Sequence, residues 1–203
     1  MLKKVNITFE KGKSYAIIGD SGAGKSTLIG MILQLICPNK GDILIDGIKY
    51  EEMKPIYSQI AYVSQDVFMF SDTLQFNLFL SDNESEKDIK DLLLKFELDK
   101  FMDTDFNEMH IREGATNISG GEKQRISIIR ELIKEKPILL MDEATSNVNG
   151  EMSEKIYNYL LQQKNVMLIS ILHNYTDGML DKFDCVIRVR DGNVTCSGNS
   201  EYK

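Results

Sequence analysis

No stretch of this 203-residue chain approaches the run of about 18 apolar residues that a membrane-spanning helix needs. The first residues also lack the apolar centre of a signal peptide. The chain is therefore expected to be soluble, which leaves a membrane-bound partner open. Positive charge is in short supply: 24 Lys and Arg face 31 Asp and Glu, for a net charge of −7. Broad nucleic-acid binding rests on basic residues neutralising phosphates, so no nucleic-acid partner is expected. There are three cysteines, Cys37, Cys185 and Cys196, odd in number and far apart. They suggest neither a disulfide framework nor a C-x-x-C metal site, and a reducing compartment is the simplest expectation. Glycine is missing between Gly47 and Gly114, where the local character turns helical, and there is no internal repeat.

What is present is ordinary for one globular unit, with 42% hydrophobic and 27% charged residues and enough length to bury a core. The organising stretch is Gly19-Asp20-Ser21-Gly22-Ala23-Gly24-Lys25-Ser26-Thr27, which fits G-x-x-x-x-G-K-[ST]. Its flanks support it. Ser14 to Ile18 reads as a buried strand, and Leu28, Met31, Ile32 and Leu35 recur at helical spacing until Pro38. Strand, glycine loop and helix together form a phosphate cradle, because backbone N–H groups at a helix N-terminus point at the anion. Gly22 and Gly24 let the backbone close on phosphate oxygens, Lys25 supplies charge, Ser26 offers a hydroxyl to Mg²⁺, and Thr27 is a further donor. Nucleoside triphosphate binding follows.

Along the chain, Val5, Ile7 and Phe9 alternate with polar residues as in a strand with one wet face. Ile43 to Ile45 enters a tight turn at Asp46-Gly47, and Ile60 to Val63 is a short strand. Ser85 is placed to cap a helix with Ile89, Leu92, Leu93 and Phe96 on one face. Glu122 to Glu135 is helical with Ile126, Ile129 and Ile133 inward, and Ile138 to Met141 reads as a strand buried on both faces. A helix carrying Met152, Ile156, Tyr159 and Leu160, an apolar strand from Val166 to Ile171, and a hairpin around Asp191-Gly192 complete it. Strands alternating with helices predict an α/β core with a largely parallel sheet.

Asp142-Glu143 ends an apolar strand, where open α/β sheets bind ligands. One carboxylate there can attend the metal and the other orient or deprotonate water. Gln65 and His173 also end strands. Taken singly, each is commoner as surface or structural polarity. Ser119-Gly120-Gly121 precedes a helix and forms a second anion site. One triphosphate does not need two such loops from one chain, so a dimer sharing them is the economical arrangement.

With these residues assembled, the chain resembles the nucleotide-binding domain of an ABC transporter. The phosphate loop Gly19 to Thr27, Gln65, the signature-like Ile118-Ser119-Gly120-Gly121-Glu122, the strand Ile138 to Glu143 and His173 match in order. Ala61 to Thr73 and Arg112 to Asn117 resemble exporter segments, the first of which meets the membrane domain. The resemblance implies a P-loop NTPase (RecA-like) core over 1–65 and 137–203 with an inserted helical subdomain over 66–136. It implies ATP and Mg²⁺ as ligands. Nucleotide contacts fall to Gly19, Asp20, Ser21, Gly22, Ala23, Gly24, Lys25, Ser26, Thr27 and, from a second copy, Ser119, Gly120, Gly121 and Glu122. Metal contacts fall to Ser26, Gln65 and Asp142, and catalytic roles to Glu143, His173, Gln65 and Lys25. The partners would be an exporter's transmembrane domain and a second nucleotide-binding domain, head to tail, at the cytoplasmic side of the membrane. Glu122 stands where the signature has glutamine, Asn149 where an aspartate is usual, and Asn174 where arginine is common. The adenine-stacking aromatic of the family is missing, Tyr15 being read as core, so a fragment of a fused exporter is expected. A DNA-repair ATPase would need a coiled coil between Gln65 and Ser119, for which there is no room. A regulatory subunit with little turnover is the other alternative.

Overall fold

The computed structural model describes residues 2–3, 5–52, 55–80, 89–102 and 105–198. The first strand, β1 (Ser14–Ile18), is buried at every position. It leads through the phosphate loop into α1 (Lys25–Ile32). A separate two-stranded hairpin follows, β2 (Leu44–Ile45) and β3 (Ile48–Lys49), turned by Asp46 and Gly47 at positive φ (50° and 81°). After β4 (Ile60–Val63) come the α-helices α2 (Leu74–Phe79), α3 (Lys90–Lys95) and α4 (Gly120–Leu132). The chain then returns to β5 (Ile138–Asp142), α5 (Gly150–Leu161), β6 (Met167–Ile171), α6 (Asp177–Leu180) and the hairpin β7 (Cys185–Arg190) and β8 (Asn193–Gly198).

The main sheet runs β4-β5-β6-β1-β7-β8, and every pairing is parallel except β7 with β8. This is the α/β fold with a mainly parallel sheet that the sequence predicts. Alternating side chains sort to two cores. Tyr15, Ile17, Leu140, Ile169 and Ile171 pack with Leu28 and Ile29 of α1. Ala16, Val63, Met141 and Leu168 pack with α4 and α5 through Ile126, Ile129 and Ile156. β4 is an edge strand, and the Glu131 carboxylate of α4 accepts from its Tyr62 N–H at 3.1 Å, blunting an edge that would otherwise invite pairing. Among the described residues no helix is long and apolar enough to cross a membrane.

Several expectations are corrected. Residues 5–10 form no strand, although Val5, Ile7 and Phe9 are half-buried and their neighbours exposed. Apolar packing against the α1-side core preserves the alternation without a hydrogen-bonded ladder. The first helix ends at Ile32 rather than running on to Pro38. Gln34 turns left-handed (φ 58°) and Leu35 N–H bonds back to Gly30 O, a Schellman-type stop that leaves Leu35 69% exposed. On α5 the fully buried tyrosine is Tyr157, whose hydroxyl lies 2.7 Å from that of buried Ser170, while Tyr159 is half-buried. Cys185 and Cys196 are bonded to each other across the final hairpin, with Cα atoms 6.4 Å apart, and Cys37 is free and exposed. Spacing in sequence could not show that hairpin register makes them diagonal neighbours, and the compartment expectation loses that support. The cap expected at Ser85 lies outside the described residues.

Candidate functional site

Four strands in a row, β4, β5, β6 and β1, are parallel, so their C-terminal ends share one edge of the sheet. Gln65 follows β4, Asp142 ends β5 with Glu143 just beyond it, His173 follows β6 and Gly19 follows β1. Residues far apart in sequence thus become neighbours through three ladders.

At β1 the loop is shaped by its glycines. Gly19 (φ 151°) lies against the next strand so closely that a Cβ would meet Val189 O at 2.2 Å, and Gly24 (φ 110°) is left-handed at the start of α1. Lys25 is only 6% exposed, and its ammonium donates to Gly19 O at 2.8 Å and Asp20 O at 3.0 Å. The charge is thereby held over the loop. Ser26 is exposed at the first turn of α1 and Thr27 half-buried behind it.

On β5 the two carboxylates diverge. Asp142 lies on the α1 side of the sheet with Leu140 and Tyr62. Burial pushes its carboxyl above the ordinary aspartate range and the Glu143 charge adds to this, while the Tyr62 hydroxyl and Lys25 pull it back. Burial and then the Asp142 charge likewise raise Tyr62. Sequence reasoning missed Tyr62; its signal was the strand parity it shares with Leu140 and, across the ladder, Asp142. Glu143 stands beyond the strand with φ 49°, a conformation uncommon for a residue with a side chain and concentrated at functional positions. Its N–H still bonds Ile171 O at 3.3 Å. Its carboxylate accepts from the Gln65 amide at 3.1 Å. Among the described residues there is no group of three acidic, His or Cys side chains fit to chelate a metal. One carboxylate and one hydroxyl suit a hard cation that keeps phosphate and water ligands, which is the usual Mg²⁺ arrangement.

His173 is exposed, and its Nδ1 faces Asn174 Oδ1 at 3.4 Å. It lines a cavity of 290 Å³ with Glu143, Ser146, Ser153, Glu154 and Thr176. No residue of Gly19 to Thr27 lines that cavity, and within the phosphate loop Gly19 to Gly22 are exposed.

Ser119 starts α4 with a complete capping box: its hydroxyl accepts from Glu122 N at 3.2 Å, and the Glu122 carboxylate accepts from Ser119 N at 2.8 Å. Glu122 also pairs with Lys100 at 2.6 Å. Burial works to raise this carboxyl, but Lys100 and the Ser119 bonds outweigh it and hold it low. Glu122 is thus tied to the helix start through Ser119 and to Lys100. The turn meets the edge through the loop after β5, because a Cβ on Gly121 would lie 3.1 Å from Asn147 O. Asn149 caps α5, accepting from Met152 N at 2.8 Å.

Comparison with known proteins agrees with this geometry. The sequence profile described as "ABC transporter" matches residues 2–146. An ATP-dependent lipid A-core flippase of Neisseria meningitidis serogroup A is 34% identical over 97% of this chain and 32% of its own length. ABC transporter B family member 13 of Arabidopsis thaliana is 34% identical over 98% of this chain and 16% of its own. The chain therefore spans about a third or less of these curated relatives. The solved structure of a bacterial Atm1-family ABC exporter with ATP bound superposes with a TM-score of 0.85 at 27% identity, over 98% of this chain and 36% of that one. With a glycine loop between β1 and α1, an acidic strand end at β5 and this match, the chain belongs to the ABC transporter family, as its ATP-binding domain.

Proposed function

We propose that this domain hydrolyses ATP to drive export across a membrane, working as a pair of copies that enclose two Mg-ATP molecules. The observation that carries the reading is the Gln65–Glu143 hydrogen bond of 3.1 Å on the edge that also holds the phosphate loop. Residues 1–65 and 137–203 act as the nucleotide-binding core and 66–136 as the inserted helical part. Lys25 and the N–H groups of Gly19 to Thr27 hold the phosphates, and Ser119, Gly120 and Gly121 of the second copy close over them. Ser26 and Asp142, with Gln65 alongside, would hold Mg²⁺, which when bound neutralises charge on the phosphates.

Glu143 orients the attacking water and takes its proton, Gln65 fixes the Glu143 carboxylate, and His173 reaches the terminal phosphate. Phosphoryl transfer needs this positioning and charge more than covalent chemistry. The domain sits on the cytoplasmic side beneath a transmembrane partner. Phe68 and Phe70, 66% and 38% exposed and stacked edge to face, offer that partner an apolar contact. Glu143→Gln tests the assignment: ATP still binds while turnover falls by about a hundredfold or more. Turnover equal to the parent overturns it.

A further inference from the structure

Gln124 belongs to none of the groups placed on the nucleotide. It lies one turn into α4, yet it is only 1% exposed and both ends of its amide are used. Its Nε2 donates to Ser146 Oγ at 3.0 Å, and its Oε1 accepts from Asn147 N at 2.8 Å. The loop it grips begins at Glu143: Ser146 N bonds Glu143 O at 3.1 Å, and Val148 N bonds Thr145 O at 3.1 Å. That loop also abuts the first turn of α4, with Gly120 3.7 Å from Asn147 Cβ and Gly121 3.1 Å from Asn147 O, both measured to the Cβ each glycine lacks. A Cβ at Gly121 would press on the loop backbone, whereas one at Gly120 would rest in ordinary contact with it.

Two hydrogen bonds and one amide thus separate Glu143 from the helix start at Ser119. We infer that Gln124 is a positioning residue that makes the loop 145–149 and the first turn of α4 move as one piece. The inference rests on the two-copy reading above. Glu143 serves the nucleotide cradled by its own chain, whereas Ser119 to Gly121 meet the nucleotide of the other. A rigid link between them in one chain makes the state of one site felt at the next, since a displacement of the loop carries the anion-binding turn with it. A buried side chain that satisfies a loop N–H and hydroxyl at once suits this task, because losing it strands polar groups and frees the loop.

The test uses the whole protein as its gene encodes it, with ATP as the probe, comparing the parent with Gln124→Leu, Gln124→Glu and Ser146→Ala. Gln124→Leu keeps the side chain's size and removes both bonds. Its KM for ATP should stay within about twofold while kcat falls roughly tenfold and the ATP dependence loses cooperativity. Gln124→Glu should recover most of kcat, because the Ser146 hydroxyl can turn to donate to the carboxylate. Ser146→Ala cuts the same link from the loop side and should fall between them, which keeps the test open if the leucine variant fails to fold. Unchanged kcat and cooperativity in Gln124→Leu overturns the inference. So does a glutamate variant that loses activity and melting temperature together with the leucine one, since that marks a purely structural residue. A parent with no ATP-dependent dimer in sedimentation overturns the two-copy reading and this inference with it, whereas a cooperative parent with indifferent variants overturns this inference alone.

Discussion

The Gln65 amide donates to the Glu143 carboxylate at 3.1 Å, from the tip of the edge strand β4 to the tip of β5 beside it. The bond aims a carboxylate whose backbone is itself held at a positive φ of 49°. Gln65→Ala should therefore lower kcat about tenfold and leave the KM for ATP nearly unchanged, since no phosphate contact is lost. Steady-state ATPase kinetics check this, and a rise in KM at constant kcat contradicts it.

Lys25 bridges Gly19 O and Asp20 O with its ammonium while almost fully buried. Lys25→Ala should weaken ATP binding roughly a hundredfold by removing the ammonium charge held over the loop. Calorimetric titration measures it, and an affinity within threefold of the parent counts against the cradle.

Arg130 is 8% exposed, and its guanidinium is spent on main-chain and neutral groups: Asn77 O, Phe68 O at 3.1 Å, Asn77 Oδ1 and Met69 Sδ. It ties α4 to the segment bearing Phe68 and Phe70. Arg130→Met strands those carbonyls and should cost about 3 kcal/mol by denaturant melting, with faster amide exchange at Phe68 to Phe70. Arg130→Lys should rescue little, because an ammonium cannot span the fork.

Asp184 accepts from Ser14 N at 2.9 Å and Ser14 Oγ at 2.8 Å, and Lys13 lies 3.6 Å away. Burial raises this carboxyl, but the Ser14 bonds and the lysine charge outweigh it, so its folded value lies below the ordinary 3.8. A lowered folded value means stability present above that pH and lost as pH falls through the folded value. Asp184→Asn should therefore melt lower than the parent at pH 7, by about 1 kcal/mol after solvent screening, and the two should converge in strong acid. A gap that widens on acidification contradicts this.

The site was legible in the chain wherever local chemistry repeats a local shape. The phosphate loop announces itself by its glycines and flanking strand, and β1 runs over Ser14–Ile18 as its apolar pattern indicates. Ser119 marks the start of a helix, although its box with Glu122, a residue the sequence reading gave to the nucleotide, was not foreseen. Asp46-Gly47 and Asp191-Gly192 mark their hairpins. Contacts made across the sheet were hidden. Tyr62 beside Asp142, Gln124 on Ser146, and Arg130 beneath Phe68 depend on which elements pack together, and no periodicity carries that. The paired Cys185 and Cys196 were missed for the same reason. Residues 5–9 mislead in the opposite sense, because their alternation records which side chains pack inward and not whether a ladder exists.

The order β4-β5-β6-β1 has one more consequence. The same hydrogen-bond ladders that pack Ile17, Leu140 and Ile169 into the core set how far each strand tip projects. A one-residue slip in any of them would send each side chain of that strand to the opposite core, against partners of the wrong shape, and carry its motif about 3.3 Å along the edge. Folding in the correct register and assembling the reaction geometry are therefore a single event here, and a misregistered chain would be unstable before it could be a poor catalyst.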